Sequence, residues 1–390
     1  MISVAEARSR IQSHCQNLEA IFLPIEHAVD HVLVDDLLSQ IDIPSFRQSS
    51  MDGYAIKWEE RHQSLRIQDE LPAGSFQQLQ LDLGATIKVF TGGPIPELAD
   101  TVVQKEWVEL VDGMIKIQSE KLEFGMHIRM PGSEIAQQAL ALPAGTLIKA
   151  SMVGFIASMG FGAVKVYRKP SMAIVITGNE LVAPGNPLLP GQVYESNSYA
   201  LRALLKEQGV DRMNVYYAKD HLEETAFTLE QALDAHDIVL LTGGVSVGDY
   251  DFVVQACQQV GVEQVFHRVA QKPGKPIYFG VQEEKLVFGL PGNPASVMSC
   301  FRQYVLPAIK VMSGKSLEEP IMGKLKHSYE KQSNLCFFLK GRVENGIVSV
   351  LGGQASYQQN SFVQANCWIE LDAQQQRFEQ FSMVKLHPFH

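Results

Sequence analysis

Asp237-Ile238-Val239-Leu240-Leu241-Thr242-Gly243-Gly244-Val245-Ser246-Val247-Gly248-Asp249-Tyr250-Asp251 is the stretch from which the fold can be read. Ile238 to Thr242 are apolar or β-branched without a break, the mark of a strand buried on both faces, as in a parallel sheet. Gly243 and Gly244 stop the strand and allow the backbone to approach a ligand closely. Ser246 and Gly248 keep the loop small, and Asp249 is placed to open a helix with the apolar face Phe252, Val253, Ala256 and Val260. A strand that ends in a glycine loop and opens a helix leaves backbone N–H groups pointing outward, where they favour an anion. Asp249 and Asp251 beside such a site suggest a cation that bridges phosphate to protein. An ordinary strand-to-helix turn with a capping aspartate fits the same residues, so the rest of the chain has to decide.

On both sides of this stretch strands and helices alternate. A strand at 173–177 ends in Thr177-Gly178-Asn179-Glu180, and Ser196 or Asn197 caps a helix that Gly209 ends. A strand at 213–218 and a helix at 222–235 precede the opening stretch. Strands near Val265 and Ile277 and at 285–289 follow it, and a long helix at 294–312 closes the segment. This alternation predicts a three-layer α/β domain over 169–315, with ligands at the carboxyl ends of its strands. Beyond Ser313-Gly314 the pattern is β-like at 337–340, 347–351 and 367–371, which predicts a small barrel or sandwich over 316–390. Upstream, Val4, Ala7 and Ile11, then Ala28, Val29, Val32 and Leu33, recur at helical spacings, with Pro24 between two helices. Residues 39–132 read as short strands and turns, a β-rich domain. A helix at 147–159 is expected to return to the N-terminal helices, so that 1–38 and 133–168 form one discontinuous helical domain. The expected class is therefore multidomain α/β plus β.

The chain has 390 residues, 46% of them hydrophobic and 19% charged, enough to bury real cores. No apolar run reaches membrane-spanning length, and Met1 to Arg10 lack a signal-peptide layout, so a cytoplasmic protein with no membrane association is expected. The five cysteines (Cys15, Cys257, Cys300, Cys336 and Cys367) are scattered and odd in number, which points to reduced thiols and away from a zinc site. A formal net charge of −10 argues against general nucleic-acid binding. An anionic ligand would have to be held by local charge and backbone dipoles.

The candidate chemistry lies at the strand ends. Glu180, Asp220, Asp249 and Asp251 all follow apolar strands, and carboxylates converging on one edge repel unless a metal or cationic group stands among them. Without histidine or cysteine nearby, the oxygen ligands select a hard cation such as Mg2+, with Asp251 and Asp220 as direct ligands and Asp249 as a helix cap. Lys272-Pro273-Gly274-Lys275-Pro276 supplies positive charge on a loop restricted by proline, suited to an oxyanion. In Gly289-Leu290-Pro291-Gly292-Asn293-Pro294, Asn293 fits an N-cap and Pro294 a first helical position, so the helix amides are expected to face the site. Each of these has a structural reading of its own: solvated acids, a basic turn, a plain helix start. In the β-rich domain Asp52 sits in a Met-Asp-Gly-Tyr turn, where aspartates usually bond their own backbone, and Thr91 and Asp100 share that ambiguity. No P-loop, dinucleotide fingerprint, nucleophile elbow or His-Glu-x-x-His helix is present.

In order, Ser50-Met51-Asp52-Gly53-Tyr54-Ala55, Thr91-Gly92-Gly93-Pro94-Ile95-Pro96, Thr177-Gly178-Asn179-Glu180-Leu181, Gly243-Gly244-Val245-Ser246-Val247-Gly248-Asp249, Lys272-Pro273-Gly274-Lys275-Pro276 and Gly289-Leu290-Pro291-Gly292-Asn293-Pro294 resemble the MoeA family of molybdopterin molybdotransferases, which also forms the E domain of gephyrin-like proteins. The resemblance covers nearly the whole chain. It implies an elongated four-domain homodimer that inserts molybdate into adenylylated molybdopterin, with Mg2+-dependent release of AMP. Further partners it implies are the molybdopterin adenylyltransferase and acceptor molybdoenzymes. It implies a cleft shared between subunits, in which Asp52 and Thr91 complete a site holding Glu180, Asp220, Asp251, Lys272 and Lys275. The cofactor-binding set would be Gly243, Gly244, Ser246, Gly248, Asp249, Pro291, Gly292 and Asn293, together with Ser356, which matches a family serine. The chain departs from the family pattern at Arg47-Gln48 (usually Asp-Asn), Asn179 (usually Asp), Ser133-Glu134 (usually Glu-Asp) and Arg268 (usually Lys). The alternative function is a scaffold paralogue that kept the fold and lost turnover.

Overall fold

The computed structural model describes residues 1–75, 77–245 and 252–389. It contains two compact units. One is formed by Met1–Ile21, Asp30–Val32 and Tyr167–His390, the other by Phe22–Val29 and Leu33–Val166.

The second unit is built on a six-stranded sheet of β1 (Gly53–Ile56), β2 (Leu65–Leu71), β3 (Ala85–Val89), β4 (Thr101–Gln104), β5 (Val108–Val111) and β6 (Met114–Ile117), in the order β4-β1-β3-β2-β6-β5. Neighbouring residues serve opposite faces, as the strand period requires. Ala55, Ile87 and Val102 pack on one side, and Ile56, Val103 and Ile115 on the other. Gly53 is required at the start of β1, because a Cβ there would lie 2.0 Å from the Val103 carbonyl oxygen.

In the first unit, β7 (Met172–Thr177), β8 (Met213–Ala218), β9 (Ile238–Thr242), β10 (Glu263–His267), β11 (Tyr278–Gln282) and β12 (Lys285–Leu290) form a sheet ordered β8-β7-β9-β12-β11-β10. The first four strands are parallel and the last two antiparallel. Because β7, β8, β9 and β12 are in parallel register, Thr177, Ala218, Thr242 and Leu290 end at one edge. The helices of this unit are α1 (Val4–Ser13), α3 (Asn197–Glu207), α4 (Leu222–Ala235), α5 (Val253–Gln259), α6 (Pro294–Cys300) and α7 (Leu306–Met312); α2 (Ala150–Ser158) belongs to the other unit. Ile174, Ile176 and Leu240 pack against α1, α3, α6 and α7, while Val175, Val239 and Leu241 pack against α4 and α5. The expected three layers are present.

The C-terminal strands β13 (Ile321–Leu325), β14 (Cys336–Glu344), β15 (Ile347–Val350), β16 (Cys367–Leu371) and β17 (Met383–Pro388) run β14-β15-β13-β17-β16, and β16 pairs back onto β14. The barrel is closed, which removes its edges. Along β14, Phe337 and Leu339 fill the barrel, whereas Cys336 and Phe338 join the α/β core.

Three local expectations are corrected. No second N-terminal helix forms: a strand Ala20–Pro24 and a single 3-10 turn Ile25–His27 stand there, and Asp30 has φ +67°. Ala28, Val32 and Leu33 are buried, but by a winding chain rather than a helix face. Accordingly α2 packs on the Ile25–His27 turn, and α1 packs on α7 through a stripe of Val4, Ala7 and Ile11. The helix expected to open at Asp249 begins at Val253, whose amide is bonded across the loop to the Gly244 carbonyl (3.3 Å). The long helix at 294–312 is α6 and α7 joined by a π-type stretch, Phe301–Val305. All five cysteines are unpaired, and burial pushes the Cys257 thiol up to about 12. Among the described residues no helix is long and apolar enough to cross a membrane.

Candidate active site

The loops after the four parallel strands meet at one edge of the α/β sheet. Gly243 adopts φ +88°, where a Cβ would lie 2.9 Å from the Thr177 carbonyl oxygen, so only glycine lets the β7 and β9 turns approach. A Cβ on Gly292 would meet the Gly243 Cα at 3.8 Å, an ordinary contact. The Thr177 hydroxyl donates to the Thr242 carbonyl (3.2 Å), and His267 Nε2 bonds the Val245 carbonyl (2.8 Å), holding both ends of the glycine turn. Asn179 and Asp220 clasp each other: the Asn179 amide donates to Asp220 Oδ2 (3.1 Å) and the Asp220 amide to Asn179 Oδ1 (3.3 Å). Glu180 follows on the same loop and is exposed. Ser246, Gly248, Asp249 and Asp251 lie outside the described residues.

The turn before α6 differs from its sequence reading. Asn293 stands at the N-cap position, yet its side chain makes no cap bond and donates to the Ser356 hydroxyl instead (3.0 Å). The Ala295 amide is taken by the Ser356 carbonyl, and those of Ser296 and Val297 by the Asn293 carbonyl. These helix amides are satisfied within the protein and do not face the site, which corrects the expectation of a helix-end anion site. Ser356 is thereby brought to the edge from the barrel. Sequence reasoning missed the two groups that complete this wall: Asn197 Nδ2 donates to the Gly292 carbonyl (2.9 Å), and Gln359 Nε2 reaches the Ser196 hydroxyl (3.4 Å). Ser196 and Asn197 had shown themselves only as cap residues. The bond that caps α3 comes from buried Glu195, which accepts the Ser198 amide (2.8 Å).

Lys272 and Lys275 are both exposed on their loop. Residues Gln271–Lys272 pair with β14 of the barrel, placing the Lys272 ammonium 5.3 Å over the Phe337 ring. The loop is supported from below by fully buried groups. Gln271 accepts from the Tyr304 hydroxyl and donates to the Gly274 carbonyl (3.0 Å). A Cβ on Gly274 would lie 2.5 Å from Cys300 Sγ on α6.

In the other unit Asp52 and Thr91 come together. The Thr91 amide and hydroxyl both donate to Asp52 Oδ1 (2.9 Å each), and Lys105 Nζ is 3.9 Å from Oδ2. The Thr91 bonds hold the Asp52 carboxyl below the usual range although it is open to solvent. Asp100, by contrast, is structural: it accepts the Trp58 amide (2.8 Å) and the Thr101 hydroxyl (3.0 Å).

Residues 2–160 match the model for the MoeA N-terminal region (domain I and II), and residues 173–311 that for a probable molybdopterin binding domain. A Haemophilus influenzae protein named molybdopterin molybdenumtransferase is 31% identical over 401 residues, covering 100% of this chain and 99% of its own. A Nostoc sp. protein of the same name is 34% identical over 314 residues, 78% of this chain and 72% of its own. The chain belongs to the MoeA family. The solved structure of a molybdopterin biosynthesis moea protein from Pyrococcus horikosii superposes with a TM-score of 0.85 at 28% identity, covering 100% of this chain and 99% of that one.

Within the MoeA frame two departures gain a physical account. Arg47 does not turn toward Asp52; its guanidinium donates to the carbonyls of Glu97 (3.2 Å) and Ala99, while Gln48 Nε2 donates to the Gly92 carbonyl (3.1 Å). Together they brace the glycine-proline loop that carries Thr91. Asn179 Oδ1 accepts the Asp220 backbone amide without adding a second charge to the loop that carries the Asp220 carboxylate, which itself accepts the Asn179 amide. Nothing in the structure explains Ser133-Glu134 or Arg268.

Proposed function

We propose that the chain is a molybdopterin molybdenumtransferase that inserts molybdate into adenylylated molybdopterin and releases AMP. The observation that carries this reading is the carboxyl edge of the parallel strands, where Gly243 and Gly292 bring two backbone turns into contact between Asp220, Asn293 and Ser356. Ligands of open α/β sheets bind at such an edge. Gly243, Gly244, Ser246, Gly248, Asp249, Pro291, Gly292, Asn293 and Ser356 form the cradle for the adenylylated pterin. Glu180 stands beside it, and Lys272 and Lys275 neutralise the charge that develops as the pyrophosphate link breaks.

Asp220 and Asp251 would hold Mg2+. The donor chemistry of Asp220 fits: its carboxylate is fixed by the Asn179 amide, and a carboxylate oxygen suits a cation that takes its remaining ligands from water and phosphate. When bound, Mg2+ would supply charge neutralisation at the phosphates.

In this reading the protein is a cytoplasmic homodimer of four-domain chains, with 39–132, 169–315 and 316–390 as three of the domains and 133–168 in the fourth, while α1 goes with 169–315. Asp52 and Thr91 of the partner subunit complete each site. The molybdopterin adenylyltransferase supplies the substrate and acceptor molybdoenzymes take the product. A scaffold that lost turnover has less in its favour, because Asp52 keeps its ionised, Thr91-bonded state and Arg47 does not cancel its charge.

The test combines the protein with adenylylated molybdopterin, molybdate and Mg2+ and follows AMP release. Release is expected with wild type and not with Glu180→Ala or Asp52→Ala; mixing the two variants restores roughly one intact site per mixed dimer. Absence of AMP release by wild type would overturn the transferase reading. Mixed dimers as inactive as their parents would overturn the shared site.

A further inference from the structure

Between α1, the helical run 301–312 and the barrel strand β17 lies a cavity of about 350 Å³, within the range of small-molecule sites. Its walls include the aliphatic side chains of Ile11, Leu306 and Val311 and the cationic ones of Arg8, Arg302 and Lys385. None of these takes part in the edge described above.

Most charges here are matched. Arg8 Nη2 is 2.9 Å from Glu370 and also reaches Gln303 Oε1; His387 (2.7 Å) and Lys385 (3.9 Å) share the Glu370 carboxylate. Lys310 is paired with Glu318 (3.0 Å). Arg302 and Glu319 are the exceptions, and Glu319 is exposed to water. Arg302 is half-buried, and among the described residues its guanidinium has no hydrogen bond or ion pair. Burial lowers its pKa, with the Glu318 charge opposing that shift from a distance. The adjoining Gln303 is 2% exposed, and its Nε2 also lacks a partner. Both residues belong to the π-type stretch Phe301–Val305, and such stretches concentrate at functional sites. A cation withdrawn from water is costly unless an anion meets it.

We propose that this cavity binds a small organic anion, with its carboxylate on Arg302 and its apolar body against Ile11, Leu306 and Val311. The aliphatic wall separates this class from inorganic oxyanions, which would leave that surface unused. Lys385, its side chain 53% exposed, adds long-range attraction at the rim.

Benzoate is the probe, titrated calorimetrically into the full chain at constant ionic strength, with inorganic phosphate for comparison. We expect saturable one-site binding of benzoate and weaker binding of phosphate. Arg302→Met should weaken benzoate by about tenfold or more, since a charge-assisted bond is lost. Arg302→Lys should retain part of the affinity, and Lys385→Met should cost about threefold while Glu370 keeps its closer partners Arg8 and His387. The Lys385→Met result stands by itself if Arg302→Met does not fold. The inference is overturned if benzoate shows no saturation with wild type, or if Arg302→Met, or Lys385→Met in its place, binds benzoate as wild type does. It is equally overturned if phosphate binds at least as tightly as benzoate.

Discussion

Asp237→Asn probes the joint at which the α/β sheet is anchored. Arg168 grips the Asp237 carboxylate with both terminal nitrogens (2.6 and 2.8 Å), and the Ser171 amide and hydroxyl add bonds of 2.7 and 2.6 Å. Both charged side chains are under a fifth exposed. Burial alone would raise the Asp237 carboxyl; the bonds from Arg168 and Ser171 outweigh it and hold it at about 2, against an ordinary 3.8. That depression corresponds to about 2.5 kcal/mol of stability at neutral pH. Because the folded-state pKa is lowered, this stability is fully present above 3.8 and is lost as pH falls through about 2. Linkage puts the remaining contribution at about half by pH 3. For a unit of this size, melting by calorimetry should show Asp237→Asn lower than wild type by about 5–10 °C at pH 7. The gap should narrow to roughly half at pH 3. Glu370, also held at about 2, makes wild type acid-sensitive too, but it is common to both proteins and cancels in the difference. A gap unchanged between pH 7 and pH 3 would refute the electrostatic account, and a gap near zero at pH 7 would refute the anchoring itself.

Gly243→Ala must hold an L-residue at φ +88° against the Thr177 carbonyl, a conformational cost of about 1–2 kcal/mol before any clash; melting should fall by several degrees and AMP release should fall much further. Arg47→Ala removes the bonds to the Glu97 and Ala99 carbonyls, about 1–3 kcal/mol of local support, and limited proteolysis should cut residues 94–99 faster while other sites are cleaved as before. Lys272→Ala should lower kcat/KM for the adenylylated pterin about tenfold with melting lowered by no more than about 1–4 °C, because the side chain is exposed and its ring contact with Phe337 is worth about 0.5–1 kcal/mol.

The sequence pattern was sufficient where an element's partners follow from its own periodicity. Ile238 to Thr242 are buried throughout, and the alternation of strands and helices around them predicts the three layers that the structure has. The pattern failed at Ala28, Val32 and Leu33, which keep a helical spacing although their burial is imposed by distant segments of a turning chain. The N-cap position of Asn293 was legible, but the destination of its side chain was not: Ser356 lies 63 residues away, and only the packing of barrel on α6 brings the two together. The support of the lysine loop escaped for the same reason, since Gln271 and Tyr304 are 33 residues apart and meet in the core.

Arg47 shows the limit most sharply. Read along the chain, it reverses the charge expected five residues from Asp52 and so threatens the site. In three dimensions its guanidinium is occupied by carbonyls 50 and 52 residues away, and Asp52 forms its ion pair with Lys105 instead. A substitution near Asp52 in sequence thus changes the scaffold of the neighbouring loop and leaves the carboxylate's own hydrogen bonds to Thr91 in place. Proximity in sequence fixes which charges could interact. Which of them do interact depends on donors and acceptors that the local pattern does not contain.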